Sequence, residues 1–505
     1  MSVRKRRLDK DWFVERDPLN IGKFDNWQSR GPSQDAKPVQ VPGVMQEAFP
    51  GYHGVAWYWN EYRFDHAPTS DQKCRIWFGA VDYYAEVWLN GVYLGHHEGG
   101  ETAFQLDGSE AFKPFAVNLL AVRVINPTHE AIDGFTLNET PHYWKKLPYE
   151  VGGAFNHGGI VLPVEMRFVP AAVIEDIAVI PQCDTGTVRL KMVLRNDLSA
   201  TVEAGVTAVI GGSDSDGMTA EDESAVTLFL PPGTTEADME LKVDRPRLWG
   251  LDDPFLYAVS VGLEVRREEA ERTIRDYRTV RCGFRDFRVD DEGYFRLNGQ
   301  KIFVKSSHTT NHFPIGQRVP YQPELMNRDL LYAKAAGFNM IRFIAGMPYP
   351  EQLDFCDTIG LLVYEECYAA WDLRDSPKMA ERYVRSTGQM VQRDRNHPSV
   401  VIWGLLNERL SGPVFDQAVA TLPFLRKYDP TRLVLLSSGR WDGQYDIGSV
   451  SNPGTVDWQR VWGEEQAQAS PIDTGPLVDG WFKPGIPGGY IESTGGCPHL
   501  RASAS

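Results

Sequence analysis

"RNHPSVVIWGLLNERL", residues 395–410, decides how this chain folds. Val400 to Leu406 is almost wholly apolar, with no polar alternation, so it reads as a strand covered on both faces. Helical text lies on each side of it: "MAERYVRSTGQMVQRD" (379–394) before and "VFDQAVATLPFLRKY" (414–428) after. A buried strand between two helices is the repeating unit of a parallel α/β sheet. The strand ends on Asn407 and Glu408, an amide and a carboxylate at the tip of a stretch built for burial.

The same unit recurs on both sides. "PELMNRDLLYAKAAG" has Pro323 at its head and Gly337 at its end, the usual start and stop of a helix. "GFNMIRFI", "LLVYEE" and "RLVLLSSG" read as strands, "PEQLDFCDTIG" as a helix closed by Gly360, and "IGSVS" and "GGYIEST" as two more strands. Seven strands are expected, beginning near 302, 337, 361, 400, 432, 447 and 488. That is one short of a (β/α)8 TIM barrel. The reading for residues 284–505 is therefore a (β/α) barrel catalytic domain, truncated after strand 7.

Upstream the texture is all β. Residues 1–170 hold short apolar runs between turns, among them the hairpin "AEVWLNGVYLG" (85–95), whose Asn90-Gly91 suits a type I′ turn. "LLAVRVINP" (119–127) is another strand, and the whole is expected to be a jelly-roll β-sandwich. Residues 171–283 alternate more regularly, as in "TVRLKMVLRN", with turns at "GGSDSDG" and "PPGTT"; this suits an immunoglobulin-like sandwich. A second Asn-Gly hairpin, Asn298-Gly299, leads into "KIFVKS", the expected first barrel strand.

Charge and composition exclude several classes. With 52 basic against 68 acidic residues the net charge is −16, which argues against a nucleic acid or an anionic membrane as partner. The basic start "RKRR" (4–7) is followed by no apolar secretory core, and no run of 18 apolar residues exists to span a bilayer. The 6 cysteines form no C-x-x-C pair, so they read as reduced thiols of a cytoplasmic protein, with no metal or cofactor motif.

In a parallel barrel the C-terminal strand ends form the working face. Glu408, Glu365, Glu366 and Glu492 all fall at such ends. A single carboxylate there is more often a loop residue or an ion-pair partner than a catalyst. His397, before Pro398, is expected to order the entry to its strand. His308 and His312 follow the first strand and read as sugar-contacting or plain loop histidines, since no third metal ligand accompanies them. Two carboxyl groups across a glycosidic bond make a glycosidase: one protonates the leaving oxygen, and the other attacks the anomeric carbon or activates water. Glu408 and Glu492, on strands four and seven, can face each other over the barrel mouth, and Asn407 can bond a sugar 2-hydroxyl.

"DRNHPSVVIWGLLNE" (394–408) closely resembles the acid/base motif of glycoside hydrolase family 2, the family of β-galactosidases, β-glucuronidases and β-mannosidases. "VWLNGVYLGHHEGG" and "AWYWNEYRF" (56–64) resemble its sugar-binding jelly roll, "PRLWGLDDPFLYAVSV" its central sandwich, and "CGFRDFRVDDEGYFRLNGQKIFVKS" the junction into its barrel. The resemblance covers nearly the whole chain. It implies a retaining exo-β-glycosidase acting on a carbohydrate β-glycoside, with Glu408 as acid/base, Glu492 as nucleophile and Asn407 as the 2-hydroxyl ligand. His308, Glu366, Trp371 and Trp441 complete the expected sugar site, with Trp458 as a further stacking candidate. "YIESTGG" departs from the family's nucleophile pattern, and "IAGMPYP" stands where the family commonly has Ser-His-Tyr-Pro. The alternative is an inactive, truncated relative that binds carbohydrate without turning it over. An amidase-like barrel using Cys367 is a weaker rival. Sandwiches beside a barrel also offer surface for a homo-oligomer.

Overall fold

The protein is described by a computed structural model, which places residues 4–141, 145–150, 154–214, 217–267, 272–290, 294–311, 324–366, 373–407, 409 and 411–437. Three bodies follow one another: an N-terminal β-sandwich, an immunoglobulin-like sandwich and a TIM-barrel domain.

The first sandwich pairs a six-stranded with a four-stranded sheet. Its core is built by inward-facing residues such as Trp12, Tyr58, Ile76, Phe78, Val122 and Phe168. The Asn90-Gly91 hairpin forms as its sequence requires. Asn90 and Gly91 both take positive φ, 52° and 82°, between strands Tyr84–Leu89 and Val92–Glu98. In the second sandwich three strands (Ala172–Pro181, Thr187–Asn196, Gly233–Lys242) face four (Val202–Asp214, Gly217–Leu230, Tyr257–Arg267, Arg272–Cys282). "GGSDSDG" is less of a turn than expected: the ladder runs on to Asp214 and Gly217, so most of that stretch is strand.

Among the described residues the barrel contributes five parallel strands in sequential order: β1 (Ser306–Thr309), β2 (Met340–Phe343), β3 (Leu362–Glu366), β4 (Val400–Gly404) and β5 (Leu433–Leu435). Helices α1 (Leu325–Ala335), α2 (Pro350–Ile359), α3 (Met379–Asp394) and α4 (Pro413–Tyr428) connect them. Every residue of β2, β3 and β4 is buried, including the charged Arg342, Glu365 and Glu366, as expected of parallel strands covered on both faces. The strands expected near 447 and 488 lie outside the described residues.

An expectation for the barrel is also corrected. "KIFVKS" is not the first barrel strand. Gln300–Lys301 closes a small antiparallel sheet with Phe287–Val289 and Phe295–Leu297, and β1 begins only at Ser306. The reason is local: Ile302 N–H still bonds back to Phe295 O, so the chain cannot enter the barrel until it has left that sheet. Within this junction Phe287, Phe295 and Leu297 pack with Trp249, Tyr364, Val401 and Leu433.

Helix α3 and the turn after it bind the three bodies together. Arg382 and Arg385 grip Glu98 of the first sandwich at 2.6 and 2.8 Å. Arg393 donates to Glu101 O at 2.9 Å. Asn396 bridges Ile177 O and Val179 N–H of the second sandwich, and Arg395 pairs with Asp176. The polar start of the opening stretch is thus an assembly joint. His397 belongs to it: its Nδ1 lies 2.6 Å from Asp357 Oδ2, while Asp357 Oδ1 accepts from Ser399 N–H at the mouth of β4. No helix among the described residues is long and apolar enough to cross a membrane.

Candidate active site

Side chains on a strand alternate between the barrel interior and the surrounding helices. The parallel register sets His308, Arg342, Tyr364 and Ile402 in one row across β1 to β4. Glu366 lies two residues on from Tyr364 and so shares its side, two residues nearer the C-terminal mouth.

Arg342 organises the interior. It is a cation inside "MIRF", a strand otherwise wholly apolar, and only 6% exposed. Its Nε and Nη2 donate to Glu366 Oε1 at 3.1 and 2.5 Å, and Nη2 also donates to Asn407 Oδ1 at 2.5 Å. The guanidinium sits 4.9 Å over the Tyr364 ring, and the Tyr364 hydroxyl donates to the same Glu366 oxygen at 2.7 Å. The other Glu366 oxygen accepts from Ala345 N–H at 3.3 Å. Ala345 takes a φ of +59°, sterically costly for a non-glycine residue, at the start of the loop after β2. Glu366 and Asn407 are 0% and 1% exposed, so neither charge nor amide survives there without such partners.

Space for the cluster comes from Gly404. A Cβ at that position would fall 2.4 Å from Glu366 Cγ and 2.5 Å from Tyr364 Cε2. The glycine inside "VVIWG" is therefore a packing requirement of the site.

Of the expected site residues, the structure gathers Asn407 and Glu366 on one guanidinium. His308 stands in the neighbouring row position, opposite Arg342, with its side chain exposed. Partial desolvation of its ring, and after it the Arg342 charge, lower its pKa against the pull of Glu366, so it favours the neutral form. Glu408, Glu492, Trp371 and Trp441 lie outside the described residues, as do His312, Cys367 and Trp458. Arg342, Tyr364 and Gly404 are additions. Their signal in the sequence was an arginine inside an apolar strand, readable as a buried cation awaiting a carboxylate.

One trio among the described residues could close on a cation: Asp354, Asp357 and His397. It lies at the entry to β4, far from the polar tip in strand direction. Each member already has a protein partner, Arg281 holding Asp354 and Ser399 N–H holding Asp357, so the trio reads as structural.

A rigid amide beside a carboxylate–guanidinium pair, set at the C-terminal face of a barrel, is suited to orienting hydroxyl groups. Comparison with known proteins points the same way. Residues 6–160 match the model of the sugar binding domain of glycosyl hydrolases family 2, residues 172–285 the model named for the family itself, and residues 287–459 that of its TIM barrel domain. A β-galactosidase of Thermoanaerobacter pseudethanolicus is 28% identical over 423 residues, 79% of this chain and 51% of that protein. A β-galactosidase of Bacteroides ovatus is 30% identical over 418 residues, 80% of this chain and 44% of that one. The chain spans about half the length of these relatives. Among solved structures, β-glucuronidase 2 of Bacteroides uniformis shares the fold with a TM-score of 0.72 at 20% identity, over 94% of this chain and 58% of that one.

Proposed function

The chain belongs to glycosyl hydrolase family 2, and from that premise we propose that it is a retaining exo-β-glycosidase. The observation that supports this most is the fixed amide of Asn407. Arg342 holds its oxygen and so fixes the plane of the amide, and the next residue in the chain is Glu408. Hydrogen bonds to the sugar 2-hydroxyl strengthen in the transition state of glycoside hydrolysis.

In this reading Glu408, protonated at rest, gives its proton to the glycosidic oxygen. Glu492 attacks the anomeric carbon, the leaving group departs as an alcohol, and a glycosyl-enzyme forms. Glu408 then takes a proton from water, which attacks the same carbon and frees Glu492. Retention needs the two carboxyl groups about 5–5.5 Å apart. Glu366 keeps Arg342 in place, His308 offers a neutral hydrogen-bonding edge, and Trp371 and Trp441 form a stacking wall for the sugar. β-Galactosides and β-glucuronides are the first substrates to try, from the names of the relatives. The four described cysteines are free thiols, which fits a cytoplasmic site of action.

A panel of aryl β-glycosides tests the activity, and a 2-fluoro glycosyl fluoride followed by peptide mapping tests the assignment. Label on Glu492 is expected. Turnover without label on Glu492 removes it as nucleophile, and no turnover of any sugar removes the catalytic reading in favour of carbohydrate binding alone.

A further inference from the structure

The last two residues of β3 point opposite ways, and the outward one has a role that the site chemistry does not use. Glu366 turns inward to Arg342. Glu365 turns outward, opposite Phe343 and Trp403 in register, and is fully buried between the strand and α3. No donor among the described residues hydrogen-bonds either of its oxygens. Among the described residues its one cation is Arg393, at 3.7 Å, and that guanidinium is already engaged. Arg393 Nε and Nη2 clasp both oxygens of Asp394 at 2.5–2.9 Å, Nη1 donates to Glu101 O of the first sandwich, and Nη2 also donates to Pro348 O in the loop after β2.

The charges do not balance if both acids are ionised. Facing the Glu365 carboxyl among the described residues are Arg393 and Asp394 from α3 and Glu101 from the sandwich, which makes three carboxylates to one guanidinium there. Two ionised carboxylates cannot hydrogen-bond each other, and a buried one with no donor costs several kcal/mol. A single proton removes both problems: a protonated Glu365 donates to Asp394, whose charge Arg393 meets.

We propose that Glu365 is a positioning residue that works in its protonated form, sharing its proton with Asp394 to fasten the end of β3, through Arg393, to the Glu101 loop of the first sandwich. The strand end it fastens carries Glu366, and with it Arg342 and Asn407. Burial first, and the Asp394 charge second, push the Glu365 carboxyl well above the usual carboxylate range, in keeping with this. An acid raised in the folded state holds a proton that the unfolded chain has already lost. Stability then falls as pH rises from the unfolded value near 4.5 towards the folded one.

Glu365→Gln is the test, because the amide replaces the protonated carboxyl atom for atom and still donates to Asp394. Thermal unfolding of wild type and variant from pH 5 to pH 8 gives a readout independent of any activity. The wild type is expected to lose Tm across this range more steeply than E365Q, so that at pH 8 the variant melts higher by about 2–4 °C. Parallel profiles, a variant less stable at pH 8, or one that does not fold each overturn the proposal. Where the chain hydrolyses an aryl β-glycoside, the alkaline limb of kcat/KM moves to higher pH in E365Q while the acid limb stays. That arm rests on the glycosidase reading; the thermal arm does not, so either can fail alone.

Discussion

Arg342 and Asn407 stand 65 positions apart in the chain, and the guanidinium of one donates to the amide oxygen of the other at 2.5 Å. The same nitrogen serves Glu366, so one cation fixes the ends of β2, β3 and the segment after β4. Removing it with Arg342→Met leaves a fully buried carboxylate without a counter-charge, which costs about 3–5 kcal/mol. Arg342→Lys keeps the charge but not the planar fork that reaches two acceptors. The expected outcome is a large Tm drop for R342M, and for R342K a folded protein with much reduced turnover. An R342M protein as stable as wild type would show that the Arg342–Glu366 pair does not hold the strand ends together.

Gly404 gives a steric prediction. Gly404→Ala drives a methyl into Glu366 and Tyr364, both buried and both bonded, and such overpacking costs about 1–3 kcal/mol. Gly205, in the second sandwich, is the control, since a Cβ there meets nothing closer than 3.9 Å. G205A is expected to be neutral or mildly stabilising by denaturant titration, and G404A to lose both stability and activity. Equal midpoints for the two variants would contradict the crowding argument.

The parts of this protein legible from sequence are those that local pattern controls. The Asn90-Gly91 turn needs two positive φ angles, and the residues that accept them are written there. The apolar run from Val400 identified a doubly covered strand for the same local reason. What stayed hidden depends on long-range pairing. Arg342 looks like one more residue of a strand until Glu366 and Asn407 arrive from elsewhere. The error at "KIFVKS" has the same origin: alternation marks an extended chain but not which sheet it joins, and the bond from Ile302 to Phe295 keeps it in the earlier one. His397 shows the converse, since Pro398 after it already indicated a strand entry, and Asp357 supplies the partner.

That pair carries a pH signature. Burial opposes charge on His397, yet the carboxylate of Asp357 outweighs it and raises the pKa above 6.5. A histidine raised by folding contributes stability that is fully present below its unfolded pKa and is lost as pH rises through the folded one. His397→Gln is therefore expected to cost more stability at pH 6 than at pH 8.5, read as the difference in Tm from wild type. Glu365 also titrates in the protein but is common to both chains, so it drops out of that difference. An equal cost at both pH values would mean that His397 orders the entry to β4 as a neutral ring.

Asn407 offers the sharpest test of the catalytic reading, because a hydrogen bond to the sugar 2-hydroxyl can be deleted from either side. Asn407→Ala removes the donor, and a 2-deoxy glycoside removes its target. Such contacts supply several kcal/mol in the transition state, so N407A is expected to lower kcat/KM on the parent substrate by about 10²-fold or more. On the 2-deoxy substrate the contact is already absent, and the same mutation should change little. Arg342 keeps its bonds to Glu366 in either case, so the fold survives and Tm moves modestly. If N407A slows both substrates equally, the amide acts by holding the strand end rather than by touching the sugar, and the 2-hydroxyl ligand must be sought on another residue.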